Sequence, residues 1–349
     1  MAIYVSKNGQ LQTIKGIYYG MTEDYINISK MYAVMPGSST ESITFDFPEN
    51  YNISELDYVD YIDNNGFIKV YTSSANNYIV LNPSKRFMFL NGGYHLFYNY
   101  TQLTNLNFTT AVRGVINNLD GTFYNCNKLE YLDLSNFEIR PISKYMYWTF
   151  KNCSKLQNIK FPPLSYTSVV ESVNSAFMNC NSLIELDLSG FDFSNVTVFR
   201  ESFRCSYGNG GVAKITFNPT KLICNNLSNM YATFANLTNL TEIIGIEKLE
   251  GASNLEMTET FINCEKLKLL HLDSMHNAKT LYRTFANCKS LKTIYSNSWG
   301  NASGSDVFRL CTSLVGGNGT TYSSSYTNAK YARVDGENGL QGYFTAPTN

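Results

Sequence analysis

Phe177-Met178-Asn179-Cys180-Asn181-Ser182-Leu183-Ile184-Glu185-Leu186-Asp187-Leu188 decides how this chain folds, because the stretch recurs. Its core, Phe-x-Asn-Cys-x-x-Leu, returns intact at Phe123/Asn125/Cys126/Leu129, Phe150/Asn152/Cys153/Leu156, Phe261/Asn263/Cys264/Leu267 and Phe285/Asn287/Cys288/Leu291. Altered copies stand at Phe97/Asn99/Tyr100/Leu103, Phe203/Cys205, Phe234/Asn236/Leu237/Leu240 and Phe308/Cys311/Leu314, which makes nine. Successive phenylalanines are 26, 27, 27, 26, 31, 27, 24 and 23 residues apart. A period of that size marks a solenoid in which one supersecondary unit is stacked on the next.

The interior of the unit follows from spacing. After the cysteine, apolar residues come two apart, as in Leu132/Leu134, Ile159/Phe161, Leu186/Leu188, Ile215/Phe217 and Leu270/Leu272, so alternate side chains share one face of a strand. Before it, intervals of four and three, as in Met146/Phe150/Cys153, Val173/Phe177/Cys180, Met230/Phe234/Leu237, Met257/Phe261/Cys264 and Leu281/Phe285/Cys288, fit one side of a short helix. The expected fold is therefore an α/β repeat, a solenoid with parallel strands on one face and short helices on the other. One unit cannot bury its apolar face alone, whereas stacked units share a continuous core.

The cysteines fit that core. Seven of the eight (Cys126, Cys153, Cys180, Cys205, Cys264, Cys288, Cys311) are assigned to the repeat position and only Cys224 lies outside it. No C-x-x-C cluster is present, and Tyr100 and Leu237 replace the cysteine in two copies, so the position suits a small buried hydrophobe rather than a metal ligand or a disulfide framework. The asparagine before it suits a turn, where its side chain bonds backbone groups.

The run Phe-x-Asn-Cys-x-x-Leu-x-x-Leu-Asp-Leu-Ser, at residues 123–135 and again at 177–189, resembles the BspA-like leucine-rich repeats of bacterial surface proteins. The ending from Cys311 and Leu314 through Tyr322, Tyr331 and Arg333 to Tyr343 and Phe344 resembles that family's terminal segment. The resemblance implies display on a surface and binding of proteins or glycans, and it implies no chemistry.

Around the repeats, residues 91–314, lie two other segments. Residues 1–90 lack the motif and read as a small β-rich N-terminal domain or cap: a hairpin about Asn8-Gly9, a second about residues 63–66, and a strand over residues 78–81. The opening Ile3-Tyr4-Val5-Ser6-Lys7-Asn8-Gly9 loosely resembles the openings of some bacteriophage virion proteins. Residues 315–349 read as a C-terminal cap; Gly316-Gly317-Asn318-Gly319 lacks the Lys-Ser/Thr and following helix of a phosphate loop. No basic start followed by an apolar run is visible, and no apolar segment of membrane-spanning length.

Net charge is −1 with 16% charged residues, which supplies no basic surface for nucleic acid or anionic membrane. The 22 phenylalanines are largely absorbed by the repeat; the 26 tyrosines are not, and tyrosine-rich surfaces serve recognition or simply form strands. The histidines (His95, His271, His276) join no Ser/His/Asp, H-E-x-x-H or nucleotide-loop pattern, and no cofactor motif is present. The expected binding surface is the outward row of the sheet: Asn107, Asp133, Lys160, Asp187, Thr216, Ile244, His271 and Tyr295. The expected function is non-enzymatic recognition on a particle surface, with residues 1–90 docking to other virion proteins of a bacteriophage and the repeats meeting a protein or glycan on a cell. A secreted adhesin on a bacterial cell surface is the alternative, a glycan-active enzyme using Asp133 and Asp187 a minor one, and a homo-oligomer is compatible with either setting.

Overall fold

The computed structural model describes residues 118–347, apart from 136, 142, 163, 164, 166, 223, 225, 276 and 277. Before them it describes residues 97–99, 101, 105–108 and 113–116, and the strands Ile3–Lys7, Gln10–Ile14, Tyr32–Val34, Ser42–Phe45, Ile68–Tyr71, Tyr78–Asn82 and Arg86–Phe89.

The spine is a column of rings. Phe97, Phe123, Phe150, Phe177, Phe203, Phe234, Phe261, Phe285 and Phe308 stack in sequence order, neighbouring centroids 5.1 to 5.6 Å apart and planes 4° to 17° from parallel. That spacing slightly exceeds the roughly 4.8 Å between paired strands, as offset stacking requires. All nine rings are buried, and apolar side chains, chiefly leucine with cysteine and methionine, close around them in one core.

Parallel strands form one wall. Tyr131–Asp133 pairs with Asn158–Lys160 on one side and Asn105–Phe108 on the other. Glu185–Leu188, Lys214–Phe217 and Glu242–Ile244 form a second group, and Leu269–Leu272, Thr293–Ser296 and Phe344–Thr345 a third. Inward residues such as Leu132, Leu186, Ile215, Leu270 and Ile294 are buried while their neighbours face out, as alternation demands. A second line of parallel bridges runs through Tyr145, Ser172, Val198, Asn229, Glu256, Thr280 and Ser303, five residues before each phenylalanine.

The expected helices are absent among the described residues, where the only helical elements are three short 3-10 turns at Ile246–Lys248, Ala329–Tyr331 and Glu337–Gly339. Residues 146–153 and their equivalents form two successive tight turns instead. The residue two before the phenylalanine is left-handed (Trp148 φ 57°, Ser175 53°, Glu259 56°), and so is the asparagine two after it (Asn152 φ 64°, Asn179 62°, Asn263 61°). Each left-handed residue interrupts the four-residue hydrogen bonding of a helix. The freed N–H groups alternate in direction. Tyr124 N donates to Gly121 O (3.1 Å) and Cys126 N to Phe123 O (3.2 Å) inside the unit; Phe123 N donates to Thr149 O and Asn125 N to Lys151 O (both 2.8 Å) in the next. The backbone of this wall is thus bonded from unit to unit.

Side chains complete the ladders. The cysteine Sγ donates to the preceding unit's phenylalanine carbonyl, at 3.1 Å for Cys126 to Phe97, 3.0 Å for Cys153 to Phe123 and 3.2 Å for Cys264 to Phe234. Asparagine Nδ2 donates to the asparagine Oδ1 of the preceding unit at Asn125–Asn99, Asn179–Asn152, Asn263–Asn236 and Asn287–Asn263, over 2.6 to 2.9 Å. A third row was not anticipated: the hydroxyl one residue before the phenylalanine is buried, and Thr260 Oγ1 bonds both Met230 O (2.9 Å) and Met257 O (2.8 Å).

Two cysteines correct the simple register. Cys205 sits one residue early, so its N–H takes the inter-unit bond that asparagine makes elsewhere, to Ala235 O at 3.0 Å. Cys224, outside the motif, donates from Sγ to Phe193 O at 3.0 Å at another corner.

At the N-terminal end Ile3–Lys7 and Gln10–Ile14 pair antiparallel about Asn8-Gly9. Ile68–Tyr71, Tyr78–Asn82 and Arg86–Phe89 form an antiparallel meander, whose last strand pairs parallel with Arg113–Ile116, and Ser42–Phe45 pairs with Asn105–Phe108. The strand and turn expected over residues 58–66 lie outside the described residues. At the other end Tyr343 and Phe344 are buried against Phe308, centroids 5.0 and 6.2 Å away, and cover the last ring of the column. The glycine-rich loop over residues 316–319 surrounds the chain's own carboxylate: Asp335 Oδ2 accepts from Asn318 N and Thr320 N (2.9 Å each) and Oδ1 from Thr320 Oγ1 (2.6 Å) and Gly342 N (3.2 Å).

Candidate recognition surfaces

The anticipated row lies where alternation puts it. Asp133 is in register with Lys160, Asp187 with Thr216 and Ile244, and His271 with Tyr295; Asn107 belongs to the strand beside Tyr131–Asp133. The row has two chemical halves. From Asp133 to Glu242 it is charged and locally paired, with Lys160 Nζ 3.3 Å from Asp133 and Lys214 Nζ 3.1 Å from Glu242. Beyond that it becomes apolar and aromatic: Ile244 is 38% and Leu269 45% exposed, and the His271 ring stacks on Tyr295 at 4.7 Å.

The two aspartates singled out as a catalytic pair are each tied into the turn of their own unit, and Asp133 is also paired with Lys160 of the next. Asp133 Oδ1 accepts from Ser135 N and Ser135 Oγ, and Oδ2 from Tyr131 O–H; Asp187 Oδ1 accepts from Ser189 N at 2.9 Å. The recurrent Asp-Leu-Ser is thus a turn that ends the strand. Partial burial raises the Asp133 pKa, but the bonds from Ser135 and Tyr131 and the Lys160 ammonium outweigh it and hold the carboxyl below its ordinary value. The strand carrying Lys160 stands between the two carboxylates.

All eight thiols are free and buried. Burial pushes Cys205 and Cys224 up to about 12 and Cys153 higher still, so thiolate, the form that reacts and binds metal, is withheld. No cluster of His, Cys, Asp or Glu able to hold a metal occurs among the described residues, where also no helix is long and apolar enough to cross a membrane.

The turn wall carries a second surface, which the helical spacing of the segment does not reveal. Tyr98 stacks on Tyr124 (4.5 Å), Tyr124 lies 6.1 Å from Trp148, and Tyr145 stacks on Tyr147 (4.7 Å). Lys151 holds its ammonium 5.5 Å over the Trp148 ring. Asp120 lies alongside, accepting from Tyr147 N at 2.9 Å and Ser143 Oγ at 3.3 Å; its burial outweighs those bonds and raises its pKa. Farther along, Tyr231 and Tyr282 are instead covered by the guanidinium groups of Arg200 (4.4 Å) and Arg283 (4.7 Å).

The family model for the BspA type leucine rich repeat region matches in overlapping spans, residues 92–203, 119–249 and 225–321. No curated protein matches the chain. Among solved structures, a leucine-rich repeat protein of T. pallidum is 19% identical, with a TM-score of 0.35, over 56% of this chain and 90% of that one. One from Bacteroides ovatus is also 19% identical, TM-score 0.33, over 64% and 56%. One from Eubacterium ventriosum is 14% identical, TM-score 0.24, over 74% and 97%.

Proposed function

The chain belongs to the BspA-type leucine-rich repeat family, and from that premise we propose that it is a non-enzymatic recognition protein displayed on a surface, which meets a protein partner through its sheet wall. The observation that carries this reading is the exposure of Ile244 and Leu269 beside the stacked His271 and Tyr295. Apolar and aromatic side chains on two adjoining groups of strands are what the centre of a protein interface needs, and the charged half from Asp133 to Glu242 supplies a polar margin. The proposed setting is a bacteriophage particle, with residues 1–90 as the β-rich module that docks to it; the support is the likeness of the opening residues to virion proteins. A bacterial cell surface is the alternative setting.

Labelled protein should bind target cells saturably. The double variant Ile244→Asp/Leu269→Asp should lose about tenfold or more in affinity, since each buried aliphatic contact is worth about 1.5–3 kcal/mol, with its thermal midpoint unchanged because both side chains face solvent. Undiminished binding by the double variant would refute the sheet-wall reading. Mass spectrometry of purified phage particles and of washed cells then separates the two settings.

A further inference from the structure

Among the described units, Trp148 is the one aromatic residue on its rung of the turn wall. Its φ is 57°, a left-handed conformation that costs a side-chain-bearing residue about 1–2 kcal/mol. The ring does not enter the core, being 40% exposed, and Tyr145, three residues earlier, is 42% exposed. The same rung in the other units holds Gly121, Ser175, Glu201, Ala232, Glu259, Arg283 and Asp306, so the turn does not require an aromatic group. The flanking members, Gly121 and Ser175, are small, and the indole lies instead 6.1 Å from the Tyr124 ring with the Lys151 ammonium 5.5 Å from its centre. The left-handed backbone belongs to the turn in every described unit; what sets this rung apart is a large, partly exposed ring where the other units carry small or charged residues.

From this geometry we infer that the turn wall around Trp148 is a carbohydrate subsite, in which the indole and the Tyr124, Tyr145 and Tyr147 rings take the apolar C–H face of a pyranose while Asp120 and Lys151 bond its hydroxyls. The charges on the page favour that occupant. A nucleic-acid strand or acidic polymer needs several unpaired cations, whereas Lys144 is committed to Glu171 and Lys151 is the cation over the ring. Partly exposed rings ending in hydroxyls, with one carboxylate and one ammonium beside them, match a ligand that is itself apolar on one face and polar at its edge. The site lies on the turn wall and does not depend on the sheet-wall interface.

Trp148 also makes the test direct, because the other tryptophan, Trp299, is only 2% exposed. Trimers of β-linked glucose, galactose and N-acetylglucosamine are titrated to about 10 mM, a range that captures millimolar affinity, with tryptophan emission, acrylamide quenching and isothermal calorimetry as readouts. The expected result is a shift in emission and protection from quenching by at least one trimer. Calorimetric affinity for it should fall about tenfold or more in Trp148→Gly and Tyr124→Ala and persist in Tyr282→Ala. Trp148→Gly recreates the residue of the preceding unit, so its melting temperature should not fall, and lost binding cannot be assigned to unfolding. Four results would overturn the inference: silence with all three trimers, binding unaltered by Trp148→Gly, a response to a uridine oligomer alone, or self-association abolished by that variant.

Discussion

Replacing Asn263 separates two roles that the asparagine row combines. Its Nδ2 donates to Asn236 Oδ1 at 2.6 Å, its Oδ1 accepts from Asn287 Nδ2 at 2.7 Å, and its backbone is left-handed at φ 61°. Either substitution, Asn263→Gly or Asn263→Ala, removes both hydrogen bonds, worth about 0.5–1.5 kcal/mol each, so both variants should lose about 1–3 kcal/mol. Alanine must in addition hold a Cβ in the left-handed region and should be worse than glycine by about 1 kcal/mol. Urea unfolding followed by circular dichroism measures the difference. Asn263→Asp keeps tolerance of the conformation but loses the donor, and should fall between wild type and Ala. Equal losses for Ala and Gly would refute the claim that a left-handed turn, rather than hydrogen bonding alone, selects asparagine here.

Other consequences follow from the same ladders. Leu310 occupies the asparagine rung of its unit at φ 60° and is exposed; Leu310→Asn should stabilise by about 1 kcal/mol, seen as a higher melting temperature. Phe261→Ala opens the middle of the ring column and should cost about 3–5 kcal/mol by denaturant titration. Asp335 is raised by partial burial but lowered further by the bonds from Thr320, Gly342 and Asn318, so its folded pKa lies below the unfolded one of about 3.9. The stability it adds is therefore present above the unfolded value and lost as pH falls through the folded one. Amide exchange at Asn318 and Thr320 should accelerate in that acidic window, and Asp335→Asn should remove the pH dependence. Native protein should react with few thiol reagents and unfolded protein at eight cysteines.

The reach of sequence reasoning is visible in particular residues. Phe177, Cys180 and Leu186 could be placed because their period and alternation each permit a single side of the unit. The wall containing Met146, Phe150 and Cys153 is not legible in the same way, because intervals of four and three are shared by a helical turn and by two successive tight turns, and spacing alone does not separate them. The asparagine carried the missing signal: it is among the few residues that tolerate the left-handed region, and it recurs where a helix would have to continue. Gly121, on the other left-handed rung, carries the same signal. The outward row from Asp133 to Tyr295 was legible because strand period fixes its face, but its division into charged and apolar halves depends on register between units. The aromatic group around Trp148 was hidden because Tyr98, Tyr124 and Tyr147 come from different units and meet only when those units stack.

Nine units pile in register on one column of phenylalanine rings. An experimental structure at side-chain resolution tests it directly, through the centroid spacings from Phe97 to Phe308. One unbroken stack with neighbours 5.1 to 5.6 Å apart is expected; a ring displaced from the column, above all Phe203 or Phe234 across the 31-residue step, would show that the units do not share one stack.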